Sequence, residues 1–158
     1  MAEAPRVFAI GDLHLPGSMD KSMDMFGSHW ENHFDKIRTD WKKKAREQDI
    51  ILIPGDISWA MHLEEAREDL EAIQGLPGIK VFLRGNHDYW WKSITRVREA
   101  LGPGSYALQH DGLMVGEYLF AGSRGWERPS AEMPDPEVEK IYQREILRLE
   151  MSLQHARR

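Results

Sequence analysis

The apolar residues fall into two alternating patterns along the first hundred positions. Short continuous runs at 6–10, 50–53 and 81–83 read as strands, each closing near a glycine. Between them the apolar positions step by threes and fours. Trp30, Phe34, Ile37, Trp41 and Ala45 predict a helix over 29–47. Leu63, Ala66, Leu70 and Ile73 predict a second, stopped by Leu76-Pro77-Gly78. Ile94, Val97 and Leu101 predict a third, stopped by Gly102-Pro103-Gly104. Strand and helix alternate three times, which implies a parallel sheet with right-handed crossovers. The runs at 6–10 and 50–53 read as buried strands, the second of them covered on both faces.

After Gly104 the pattern changes. Runs at 106–108, 113–115 and 118–121 are separated by Asp111-Gly112 and Gly116-Glu117, and read as antiparallel hairpins that begin a second sheet. A loop follows over 122–134. Asp135 and Pro136 form a helix start, the first as N-cap and the second at the first helical position. Val138, Ile141, Tyr142, Ile146, Leu149 and Leu153 continue that helix. The segment 15–26 reads as irregular, with Met19, Met23 and Met25 forming either an apolar lip or plain loop packing.

Composition narrows the class. The chain has 158 residues, enough for one domain with a real core, and a net charge of −5, which argues against a dedicated nucleic-acid binder. Without cysteine there is no disulfide, thiolate metal site or thiol nucleophile. No basic and apolar leader and no membrane-length apolar run is present, so a cytoplasmic enzyme or binding domain is expected. His29 and His33 lie one turn apart on the predicted first helix but have no acidic partner in register, and read as a packed or solvated pair.

Three short motifs carry the candidate chemistry: Gly11-Asp12-Leu13-His14, Gly55-Asp56 and Gly85-Asn86-His87-Asp88. Each falls at the C-terminal end of a predicted strand, the edge where open α/β sheets bind ligands. Any one of them alone is an ordinary turn sequence. Together, Asp12, His14, Asp56 and Asn86 offer three oxygen-type donors and one imidazole, a set suited to Mn²⁺, Fe or Zn²⁺. Asp56, with two oxygens, is the natural bridge between two cations, and such a pair activates water and polarises a phosphoryl group. His87 is expected to protonate a leaving alkoxide, with Asp88 orienting its imidazole. Tyr89, Trp90 and Trp91 read equally as a cleft wall or as core.

These three blocks, in this order over residues 11–88, resemble the signature blocks of the calcineurin-like metallophosphoesterases. Gly122-Ser123-Arg124-Gly125-Trp126 further resembles a segment of a bacterial branch of that family. The resemblance implies an αββα sandwich with a dinuclear centre. Asp12 and His14 would bind the first metal, Asp56 would bridge and Asn86 would bind the second. His87, with Asp88 behind it, would serve the phosphate or leaving group. The implied reaction is hydrolysis of a phosphomonoester or phosphodiester by metal-activated water, on a phosphorylated small molecule or a diester, with Mn²⁺ expected first and Fe, Zn or Ni as alternatives. The family's later histidine and its Gly-His-x-His block have no counterpart here. A single, C-terminally truncated domain with an incomplete second sheet is therefore expected, holding at most one tight metal. Weak turnover and homodimerisation are expected of it, and its alternative role is that of a catalytically inactive scaffold for a protein partner.

Overall fold

The computed structural model describes residues 3–18 and 23–157, so Met19 of the expected apolar lip lies outside the described residues. The chain divides into two compact units, Met1–Ala107 and Leu108–Arg158.

The first unit carries a four-stranded parallel sheet in the order β1 (Val7–Ala9), β2 (Ile50–Ile53), β3 (Ile79–Phe82) and β4 (Ser105–Ala107). Helices α1 (His33–Lys44), α2 (Leu63–Gln74) and α3 (Ile94–Ala100) join successive strands. The expected alternation is thus present, with β2 and β3 at the centre. Ile50, Ile51, Ile53, Val81 and Phe82 are buried there, as strands covered on both faces require. The helical stripes meet them: Leu63, Ala66, Leu70 and Ile73 of α2, Trp41 of α1 and Val97 of α3 belong to one apolar cluster. The Trp41 indole N–H donates to the Pro77 carbonyl at 2.9 Å, so this large ring is buried without an orphaned donor.

Three expectations need correction. The strand at 6–10 is not buried: among the described residues β1 pairs only with β2, and Val7 is 40% exposed on that edge. The run at 106–108 does not open an antiparallel hairpin. It forms β4 and pairs in parallel with β3, Val81 opposite Tyr106, because α3 returns the chain to the same end of the sheet. A short apolar run has no orientation of its own; the connection supplies it. The first helix begins at His33 rather than 29. Asn32 holds φ at 52°, a left-handed conformation that interrupts helical geometry, and Ser28–Trp30 forms a separate 3₁₀ turn.

The second unit consists of an antiparallel hairpin, β5 (Gly112–Val115) and β6 (Tyr118–Ala121), and the helix α4 (Pro136–Ala156). Asp135 caps α4 as expected, accepting from Glu137 N at 2.8 Å. Buried Ser152 on α4 donates to the Asp111 carbonyl at 2.6 Å and accepts from Gly122 N at 2.8 Å, tying the helix to both ends of the hairpin. Gly112 is required there, since a Cβ would lie 2.7 Å from Ala156 Cα. Glu145 is buried and ion-paired to Arg148 at 2.7 Å, with Arg144 and Arg124 at 3.6 and 3.7 Å. Among the described residues no helix is long and apolar enough to cross a membrane.

Candidate active site

The first two motifs are aligned by the backbone itself. Pairing between β1 and β2 continues beyond both strands: Asp12 N donates to Gly55 O at 3.1 Å, His14 N to Asp56 O at 2.9 Å and Leu15 N to Ile57 O at 2.9 Å. Trp59 N returns the contact to Leu15 O at 2.9 Å. The third motif joins through glycine. A Cβ on Gly55 would lie 2.5 Å from Gly85 Cα, and one on Gly85 would lie 2.1 Å from Asp56 Oδ1. Only two glycines let the tips of β2 and β3 approach this closely.

Asp12, His14 and Asp56 all hold left-handed backbone, with φ of 56°, 45° and 52°. Each such residue costs on the order of 1 kcal/mol or more, and aspartate tolerates it better than most. The strain aims three side chains at one point. Their candidate ligand atoms all lie within 4.8 Å of one another. His14 Nε2 is 3.6 Å from Asp12 Oδ1 and 3.8 Å from Asp56 Oδ2. These distances are too long for hydrogen bonds, and close to the roughly 3.4 Å between two ligands of one tetrahedral ion at about 2.1 Å. His14 Nδ1 is buried with no hydrogen-bond partner. Two carboxylates and an imidazole, gathered without bonding one another, fit a divalent cation.

His87 meets the same Asp56 oxygen that faces His14. Its Nδ1 lies 2.7 Å from Asp56 Oδ2 and its backbone N donates to Asp56 Oδ1 at 3.0 Å. Burial pushes the Asp56 carboxyl up, but these His87 contacts outweigh it, and the net position is below the ordinary carboxylate range. Asn86 is exposed, with its amide nitrogen 3.3 Å from His87 Nδ1, at the rim of the cluster.

Asp88 sits elsewhere than expected. Its carboxylate accepts from Asp56 N, Ile57 N and Gly85 N, each at 2.8 Å, from Ser58 N at 3.3 Å and from the Trp90 indole at 3.0 Å. It is fully buried. The carboxylate against the His87 imidazole is Asp56, not Asp88. Asp88 instead ties the Asp56 loop to the Gly85 turn, so it positions both motifs. Adjacency in sequence suggested a pair, but the turn sends the two side chains in different directions. Of the three aromatic residues after it, Trp90 and Trp91 belong to the core and Tyr89 is 46% exposed.

Trp59 has no counterpart in the sequence reading. Its ring stacks on His14 with centroids 4.6 Å apart at 20°, and lies 5.4 Å from the His87 ring. The only sequence signal was an aromatic residue three positions after a candidate ligand.

A family model described as calcineurin-like phosphoesterase matches residues 5–145, which include all three motifs. The chain belongs to this family. Membership in the calcineurin-like phosphoesterases points to divalent metal ions and a phosphorylated substrate, and the Asp12, His14 and Asp56 group agrees with the first. The mixed architecture of a parallel sheet and a smaller antiparallel one is also that of a metallophosphoesterase. The crystal structure of a protein of unknown function from Aquifex aeolicus has a similar fold, with a TM-score of 0.52 and 18% identity over 87% of this phosphoesterase chain and 69% of that one. No curated protein matches the sequence.

Proposed function

We propose that the chain is a single metallophosphoesterase domain that hydrolyses a phosphomonoester or phosphodiester. The observation that carries this is the convergence of Asp12, His14 and Asp56 ligand atoms within 4.8 Å, from two motifs more than forty residues apart. These three residues hold one divalent cation, Mn²⁺ first among the candidates, and Asn86 contributes from the rim. A divalent ion in such a site polarises a phosphoryl oxygen and makes water acidic enough to attack at neutral pH. The chain's own contribution is positional. Asp56 fixes the His87 ring through Nδ1, and His87 would deliver through Nε2, which has the Asn86 amide nitrogen 3.5 Å away, the proton that a departing alkoxide needs. Asp88 keeps the Asp56 and Gly85 segments in register throughout.

Metal analysis after saturation with Mn²⁺, paired with monoester and diester assays, tests this reading. About one tightly held ion per chain is expected, because the described residues contain one such ligand group. Asp56→Asn and His14→Ala should each lower metal affinity by at least about tenfold. Metal content unchanged in both variants would sink the proposal.

A further inference from the structure

We propose that Trp59 and Tyr89 form an aromatic rim at His87 that favours phosphoesters whose leaving oxygen carries a planar aromatic ring, directly or through one carbon. The inference rests on the reading of His87 as the proton donor to the leaving oxygen, and it names the leaving group.

The His87 side chain is 39% exposed, and Asp56 holds its Nδ1. The Asn86 amide nitrogen lies 3.5 Å from His87 Nε2. Two aromatic rings flank the imidazole. The Trp59 ring centroid is 5.4 Å from that of His87, tilted by 53°, and the Tyr89 ring is 6.4 Å away at 83°. Neither ring is loosely placed. The Trp59 indole N–H points to Met23 Sδ at 3.3 Å, and its plane is set by the stack on His14. Tyr89 is carried on a tight turn in which its N donates to His87 O at 2.8 Å. The next two residues, Trp90 and Trp91, are 2% and 1% exposed, whereas Tyr89 is 46% exposed. Exposing a tyrosine beside a proton donor leaves apolar surface in water, and a ring on the leaving group removes it.

The rim prefers a ring to a saturated group of equal bulk because edge-to-face and offset-stacked contacts need a π-face on both partners. The reach is short. Rings this close to the imidazole touch the atoms next to the leaving oxygen, not a group several bonds away.

The test is equilibrium binding of benzylphosphonate and cyclohexylmethylphosphonate to the Mn²⁺-loaded full chain, at mildly alkaline pH where both are dianions. The two differ in the ring alone and neither is hydrolysed. The aromatic phosphonate should bind about three- to tenfold tighter. Tyr89→Leu, which keeps apolar bulk at an exposed position, should bring the ratio towards one. Trp59→Phe, which keeps a ring, should retain most of it. Equal affinities for the wild-type protein would overturn the inference and leave the phosphoesterase reading standing. If neither phosphonate, nor inorganic phosphate, binds in a Mn²⁺-dependent way, the reading of the site has failed and the inference falls with it.

Discussion

Replacing Asp88 by asparagine is the sharpest probe of how the site is built. The side chain keeps its shape and loses one acceptor. In the wild-type protein Oδ2 accepts from Asp56 N and Gly85 N, while Oδ1 accepts from Ile57 N, Ser58 N and the Trp90 indole. An amide can turn either way, but each orientation sets its NH₂ against at least two of these donors. The group is fully buried, so no water replaces the lost acceptor. Leaving a buried donor unsatisfied costs about 1–3 kcal/mol, so two donors amount to roughly 3–5 kcal/mol, with some relief from local movement. That is a large share of the roughly 5–15 kcal/mol that holds a small protein folded. With a urea slope of about 2 kcal/mol per molar, the unfolding midpoint of Asp88→Asn should fall by roughly 2 M. Urea unfolding followed by tryptophan fluorescence reads this directly, since the Trp90 indole donates to the carboxylate and Trp91 is buried next to it in sequence. Metal affinity should fall in the same variant under native conditions, because the knot holds Asp56 in place. A midpoint within about 0.3 M of the wild type would refute the reasoning, since such a shift is below the cost of even one orphaned donor.

Three other outcomes follow from particular contacts. Gly85→Ala would place a Cβ 2.1 Å from Asp56 Oδ1, and should cost about 1–3 kcal/mol of stability and most metal binding, checked by thermal unfolding and metal titration. The Arg6 guanidinium, with further help from Arg46, holds the Asp49 carboxyl well below the ordinary carboxylate range. Its contribution to stability is therefore present above the unfolded value of about 3.9 and is lost as pH falls towards the folded one, so Arg6→Ala should raise the acid-unfolding midpoint seen by circular dichroism. Glu145→Gln would take their shared counter-charge from Arg124, Arg144 and Arg148, the last two of which are partly exposed to water, at a cost of about 1–2 kcal/mol, and amide exchange in β5, β6 and α4 should accelerate.

The linear sequence was sufficient for whatever depends on neighbours three, four or two residues away. Helical stripes, the central strands, the Asp135 cap and the three strand-end motifs are all of that kind, because apolar spacing and turn chemistry are local properties. It was also sufficient to name Asp12, His14 and Asp56 as one group, since strand ends in a parallel sheet share an edge. Tertiary structure decided what depends on who stands across the gap. It turned β4 parallel, because α3 returns the chain to the same end of the sheet. It exposed β1, because among the described residues that strand has a neighbour on one side only. It gave His87 to Asp56 and withdrew Asp88 into a buried knot of five donors, a choice that adjacent letters could not reveal. It also brought Trp59 against His14 through the backbone pairing of two loops. Hydrogen-bond partners at long range are set by the path of the backbone, and that path exists only once the chain has folded.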